Sequence, residues 1–240
     1  LAESEEEKQN LEDYISLLTP VIKAYCTDRG FEATVLAMQT YGGYGYTRDY
    51  PVERLMRDSK INSIYEGTNG IQAMDLLARK LGMKKGGVFL NFLGEMQKTI
   101  ATAKDTDGLA DLGTGLEESV NRLGSVAMHI GKTAMSPDFK TAFSYASDFL
   151  NVMGDVVMAW MLLWRATVAA PKLAELVGDA EGEARLEKIN KNKNAAFYEG
   201  QIKSAQYFIQ TLLPITQGKM ASIEANCSAV VDIPEAAFGG

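Results

Sequence analysis

Apolar residues recur along this chain at intervals of three and four, and strict alternation is rare. Leu112, Leu116, Val120, Leu123, Ala127 and Ile130 draw one stripe down a helix. Ala146, Phe149, Met153, Val156, Trp160 and Trp164 draw a second, and Tyr198, Ile202, Ala205, Ile209 and Leu212 a third. No run of alternating β-branched residues bounded by turn signals interrupts this pattern, so the predicted fold class is all-α. Helical stripes bury themselves against one another, which predicts an antiparallel helical bundle for the later part of the chain.

The first part reads as shorter pieces. Thr19 before Pro20 predicts an N-cap with proline in the first turn, and a helix from Pro20 to about Asp28. A second helix from about Phe31 to Tyr41 should stop at Gly42-Gly43, where glycine adopts the left-handed conformation without a Cβ clash. Pro51 marks another start, with Val52, Leu55 and Met56 as the buried side of a helix to about Lys60. Asn69 with Gln72 resembles a capping box for a helix to Gly82. The cluster Gly82-Met83-Lys84-Lys85-Gly86-Gly87 predicts a boundary between a domain at 1–83 and one at 84–240, and residues 229–240 read as an irregular tail around Pro234.

Composition narrows the function. With 46% hydrophobic residues among 240, the chain can fill a core. Its 24 basic and 31 acidic residues give a net charge of −7, which repels a phosphate backbone and argues against nucleic acid as a partner. Cys26, Cys227 and His129 are too few and too scattered for a metal site, and two free thiols fit a reducing, cytoplasmic setting. The longest apolar run, Val156 to Trp164, falls short of the ~20 residues a membrane-spanning helix needs. A chain that begins on Leu1 reads as a piece of a longer protein, with any targeting segment outside it.

Chemistry concentrates between Gln39 and Gln72. Glycines (Gly42, Gly43, Gly45, Gly67, Gly70) stand among tyrosines (Tyr41, Tyr44, Tyr46, Tyr50, Tyr65), with the carboxylate of Glu66 at a loop-to-helix junction. Such glycines allow a ligand close to the backbone, and helix starts favour anionic groups. Composition and spacing alone equally allow a plain reading, in which Gly42-Gly43 only stops a helix, Glu66 is solvated and the tyrosines pack. Gly43-Tyr44-Gly45 is no dinucleotide fingerprint, because no strand precedes it.

The order of blocks favours the ligand. Gln39-Thr40-Tyr41-Gly42-Gly43-Tyr44-Gly45-Tyr46, then Tyr50-Pro51-Val52-Glu53-Arg54-Leu55-Met56-Arg57-Asp58, then Ile64-Tyr65-Glu66-Gly67-Thr68, closely resembles the carboxy-terminal signature of acyl-CoA dehydrogenases. The likeness covers about residues 8–82. The remainder of the chain resembles the extra helical domain of longer bacterial members that act on butyryl-CoA or methylthiopropionyl-CoA.

The resemblance implies the end of an acyl-CoA dehydrogenase-type helical bundle followed by an appended one. It further implies an FAD-dependent flavoprotein of fatty-acid β-oxidation that converts an acyl-CoA to its trans-2-enoyl form, with Glu66 removing the α-proton. On the same ground Gly67 and Tyr65 contact substrate. Thr68, Asn69 and Gly70 contact FAD, and Gln39, Thr40, Tyr41, Gly42 and Gly43 reach the FAD of a neighbouring subunit in a homodimer or homotetramer. Electron-transfer flavoprotein is the implied electron acceptor. The family's amino-terminal helical domain, its β-domain over the flavin and the first helices of its bundle have no counterpart in these residues. This piece alone is therefore expected to be inactive and to bind FAD weakly or not at all. Two other readings stand beside this one: a non-catalytic helical oligomerisation module, and an acyl-CoA oxidase that hands electrons to oxygen.

Overall fold

The structure, a computed structural model, describes residues 4–239 and contains no strand among them. The α-helices of the described residues are, in order, α1 Glu5–Tyr41, α2 Val52–Lys60, α3 Asn69–Asp75, α4 Gly87–Lys104, α5 Ala110–Ala134, α6 Phe139–Ser144, α7 Ala146–Val177, α8 Gly182–Lys191, α9 Lys193–Tyr207, α10 Leu213–Ala225 and α11 Ala229–Asp232. The expected all-α class holds.

By packing, the chain divides into two compact units. One comprises the chain up to Phe89, His129–Gly154 and the chain from Asn226; the other comprises Leu90–Met128 and Asp155–Ala225. Helices α5 and α7 each contribute residues to both.

In the first unit the predicted break at Thr19-Pro20 does not occur. Helix α1 runs through Pro20 for 37 residues, and its N-cap is Ser4, whose Oγ accepts from the Glu7 amide at 3.1 Å. Asp13, Leu17, Pro20, Val21, Ala24 and Tyr25 form its buried side in one helical phase. An interior proline costs about 3 kcal/mol through its missing N–H and ring clash, and a continuous apolar face offsets that cost. Thr19 caps nothing; its hydroxyl donates to the Ile15 carbonyl at 2.6 Å. Gly30 likewise leaves α1 unbroken. Helix α2 begins after Pro51 as expected, but Leu55 points outward, and Val52 is the residue buried there. Arg54 with Asp58 at 3.1 Å and Arg57 with Glu53 at 3.2 Å form exposed pairs along its surface.

Helix α3 continues into a π-turn at Leu76–Lys80, closed by the Leu81 amide on the Leu76 carbonyl at 3.0 Å. Lys84, Lys85 and Gly86 then all take left-handed backbone (φ 49°, 58° and 85°). Lys84 reaches back from this turn to the Asp13 carboxylate on α1, and Lys80 donates to Ser16 Oγ at 2.7 Å. On α7, Gly154 lies flat against the Tyr25 ring: a Cβ there would stand 2.2 Å from a ring carbon. His129 is half-buried, and its Nε2 is buried without a hydrogen-bond partner. The expected irregular tail instead holds α11 and a 3-10 turn at Glu235–Phe238, and the Tyr145 hydroxyl accepts from the Cys227 amide at 3.1 Å; Gly240 lies outside the described residues.

The α5 stripe is buried as read from the sequence, Leu112 to Ala127 in the second unit and Ile130 in the first. The α7 stripe drifts: Ala159, Leu163 and Ala166 are buried where Trp160 and Trp164 were expected, and Trp164 is 49% exposed. Trp160 packs edge-on to Phe92 and donates its indole N–H to Thr99 at 2.8 Å. The third stripe shifts by one residue, from Leu212 to Leu213, because a π-turn at Phe208–Leu212 joins α9 to α10 and inserts one extra position. Thr216, Met220 and Ile223 carry the face onward. Buried Asp155 accepts from Thr216 at 2.9 Å and Lys219 at 2.7 Å. Arg122 joins α5 to α10 by bonds to Gln217 at 2.9 Å and Glu224 at 2.8 Å.

Helix α7, at 32 residues, is long and apolar enough to cross a membrane by length and composition, which the shorter run read from the sequence does not suggest. Its fully buried Phe149, Val152, Met153, Val156, Leu163 and Ala166 are what a core helix of a folded domain also shows.

Two stability outcomes are expected. Gly154→Ala forces the Tyr25 ring, itself only 5% exposed, out of its place, and denaturant unfolding should show a loss of about 1–3 kcal/mol. The Asp13 carboxyl is held below its ordinary range by the Lys84 ammonium that donates to it, aided by Gln9. A lowered folded pKa stabilises the protein above the ordinary carboxylate range, and the contribution vanishes as pH falls through the folded value. The stability gap between the unsubstituted protein and Lys84→Met should accordingly be open at neutral pH and close in acid.

Candidate active site

The region around Glu66 is built by three successive ways of ending and starting helix. After α2, a 3-10 turn at Ile61–Ser63 closes with the amides of Ile64 and Tyr65 both donating to the Ile61 carbonyl, at 2.9 and 3.1 Å. Glu66 and Gly67 then take left-handed backbone, φ 53° and 83°. Such a conformation is uncommon for a residue with a Cβ and routine for glycine. Thr68 ends the reversal as the N-cap of α3, its hydroxyl accepting from the Ile71 amide at 3.3 Å and its carbonyl from the Gln72 amide at 3.0 Å.

The capping box expected of Asn69 and Gln72 does not form: Thr68 is the N-cap, and both side chains are used elsewhere. The Asn69 amide group enters the groove beside α1: Oδ1 accepts from Lys23 Nζ at 2.8 Å, and Nδ2 lies 2.7 Å from Asp28 Oδ1, 3.0 Å from Thr27 Oγ1 and 3.2 Å from the Ala24 carbonyl. Gln72 instead reaches back over Gly67 and donates to the Glu66 carbonyl at 3.4 Å.

The Glu66 side chain is exposed, as are Tyr65, Ile61, Ile64, Ile71 and Met74 around it in sequence. Gly70 is open: no atom lies within 4 Å of where its Cβ would stand.

Gln39 to Gly43 occupy the far end of α1, where the Gly42 amide donates to the Gln39 carbonyl and Gly42 takes φ 61°. The Thr40 hydroxyl donates to the Leu36 carbonyl at 2.9 Å. Gly45 is buried where a 3-10 turn folds back on α1; a Cβ there would meet the Met38 carbonyl oxygen at 2.5 Å. The Tyr50 ring sits 5.7 Å from that of Tyr41 and 5.6 Å from that of Tyr44. The two blocks do not meet in one pocket: the helix between Thr27, beside Asn69, and Gln39 is about 18 Å long at ~1.5 Å per residue.

These residues fit a phosphate-bearing cofactor through backbone more than side chain. Gly42, Gly43 and Gly70 have open space over the Cα. The Thr40 hydroxyl and the Asn69 amide are engaged within the chain, whereas Thr68 accepts one bond and still has its hydroxyl proton to donate. Sequence reasoning missed the anchoring role of Lys23, Thr27 and Asp28, and the reach of Gln72 to Glu66. The only signal was the Asn69–Gln72 spacing, which pointed to a cap.

Comparison with known proteins defines the class first. A family model described as "Acyl-CoA dehydrogenase, C-terminal domain" matches residues 2–81, and one described as "Acetyl-CoA dehydrogenase C-terminal like" matches residues 92–234. The all-helical chain is thus a carboxy-terminal region of the acyl-CoA dehydrogenase type. Over 238 residues it is 31% identical to a butyryl-CoA dehydrogenase of Syntrophomonas wolfei, covering 99% of this chain and 37% of that protein. It is 29% identical over 227 residues to a broad-specificity linear acyl-CoA dehydrogenase of Mycobacterium tuberculosis (92% and 35% covered) and 30% identical over 211 residues to a 3-methylmercaptopropionyl-CoA dehydrogenase of Ruegeria pomeroyi (87% and 33% covered). The chain belongs to the acyl-CoA dehydrogenase family and spans little more than a third of the length of these relatives.

Two substitutions separate anchoring from chemistry. Asn69→Ala strands Lys23 and Asp28 and should lower stability by about 1–3 kcal/mol in urea unfolding. Glu66→Gln, on an exposed side chain, should change it by less than about 0.5 kcal/mol.

Proposed function

We propose that the chain is the carboxy-terminal part of an FAD-dependent acyl-CoA dehydrogenase that oxidises an acyl-CoA thioester to the trans-2-enoyl-CoA in fatty-acid β-oxidation, with Glu66 as the base. The observation that carries this reading is the placement of a carboxylate on a left-handed reversal, flanked by exposed apolar side chains and followed by open backbone at Gly70. A scaffold needs none of these.

Bound FAD supplies the acceptor for the hydride that leaves the β-carbon. The residues of this chain do the rest. Glu66 takes the α-proton as the α–β bond becomes double. The Glu66 backbone N–H donates to the thioester carbonyl and stabilises the negative charge that grows on its oxygen. Tyr65 walls the acyl chain, and Gly67 lets the thioester lie close to the backbone. Covering this surface with substrate and the amino-terminal part of the protein removes water from around Glu66 and strengthens the polar contacts made there.

Thr68, Asn69 and Gly70 hold FAD on one side, Asn69 through its backbone. The separation of Gln39–Gly43 from Glu66 along α1 supports a division in which that block serves the FAD of a neighbouring subunit, in a homodimer or homotetramer. Electron-transfer flavoprotein then accepts the electrons, in the cytoplasm.

The test uses the protein extended to the length of its relatives. Mixing with saturated acyl-CoAs should bleach the flavin absorbance, and Glu66→Gln should slow that bleaching by roughly 100-fold or more, the usual scale for losing a positioned base. Bleaching that proceeds at the original rate in Glu66→Gln would remove Glu66 from the chemistry. Oxygen consumption without an added acceptor would identify an oxidase instead.

A further inference from the structure

We propose that Gln72 is a positioning residue for catalysis: its side-chain amide clamps the Glu66–Gly67 peptide and so sets the direction of both groups that Glu66 supplies. This rests on the reading of Glu66 as the base. Three observations meet at one place. Glu66 stands at φ 53°, a region uncommon for a residue with a Cβ. Its carbonyl accepts from Gln72 Nε2 at 3.4 Å, across six residues of chain. Gly67 lies beneath that amide: a Cβ there would stand 2.9 Å from Gln72 Nε2 and would displace it.

What Glu66 has to do gives this clamp its effect. Base and thioester donor come from one residue, the first through its side chain and the second through its own N–H. The angle between its N–H and its Cα–Cβ bond is set by φ of Glu66, ψ sets both against the Glu66–Gly67 peptide plane, and the side-chain torsions then carry the carboxylate from that Cβ. Gln72 grips the peptide plane immediately after Glu66, the plane whose rotation is ψ of Glu66. Gln72 is itself placed by the first turn of α3, which Asn69 ties to Lys23, Thr27 and Asp28 of α1. The chain of support thus runs from the long helix to the base without any contact between Gln72 and substrate. It also gives Gly67 a second reason to lack a side chain, independent of how closely substrate passes.

The experiment compares Gln72→Met and Gln72→Glu with the unsubstituted protein, again at the relatives' full length, using butyryl-CoA and longer saturated acyl-CoAs. Methionine keeps the length and loses the donor. It should lower kcat by about tenfold or more while KM and bound FAD stay within about twofold, because misorientation at the reacting atoms acts on the transition state and not on binding. Glutamate turns a carboxylate toward the Glu66 carbonyl at neutral pH, but its protonated form can donate. The kcat of Gln72→Glu relative to the unsubstituted enzyme should therefore rise as pH falls through the carboxylate range, whereas the ratio for Gln72→Met stays flat.

Unchanged kcat in Gln72→Met overturns the clamp. So does a loss shared by kcat, FAD content and melting temperature with no acid recovery in Gln72→Glu, which would mark a merely structural residue. A Glu66→Gln protein measured alongside keeps the two claims apart: its full activity overturns the base and the clamp together, while its inactivity beside a fully active Gln72→Met overturns the clamp alone.

Discussion

The Asn69 carboxamide is the point on which the arrangement around Glu66 turns. It stands at the first position of α3 and spends both ends of its side chain on α1, where Lys23, Thr27, Asp28 and the Ala24 carbonyl surround it. A helix of seven residues has little stability of its own, since nucleation is unfavourable and short helices depend on tertiary contact. Tied to a 37-residue helix, it becomes a fixed platform. Thr68 can then cap it, the left-handed pair Glu66–Gly67 can reverse the chain onto it, and Gln72 can reach back from it.

Much of the fold was legible because helices advertise themselves by period. The α5 stripe is buried residue for residue as read. What failed were local signals overruled by packing. Thr19-Pro20 has the chemistry of a helix start, yet Leu17, Val21 and Ala24 continue one buried face through it, and burial outweighed the proline. The stripe through Ile209 slipped by one position because a π-turn is invisible to a 3.6-residue period. Leu55 was assigned inward by spacing alone, on a helix too short for spacing to decide.

The site was legible in a different way. Residue order across three blocks identified the family, and residue chemistry alone left Glu66 an ordinary solvated carboxylate. Neither could reveal that Asn69 faces α1, because a side chain that matches a cap by spacing can bond equally well across the fold. The left-handed backbone at Glu66 was equally hidden, since nothing about glutamate favours it. The separation of the Gln39–Gly43 and Thr68–Gly70 blocks needed the unbroken length of α1, which the misread proline had concealed.

The two tryptophans of the sequence, Trp160 and Trp164, both lie in the second packing unit, their rings stacked 5.7 Å apart. Indole emission therefore watches only that unit. The unit that holds Glu66 carries instead the tyrosine cluster of Tyr41, Tyr44 and Tyr50. Tyrosine emission is weighted toward that unit, which holds eight of the ten tyrosines, Tyr198 and Tyr207 lying in the other. Unfolding followed at the two wavelengths, with helical circular dichroism as the common reference, can ask whether the halves melt as one cooperative body, since coincident transitions are the signature of two-state behaviour.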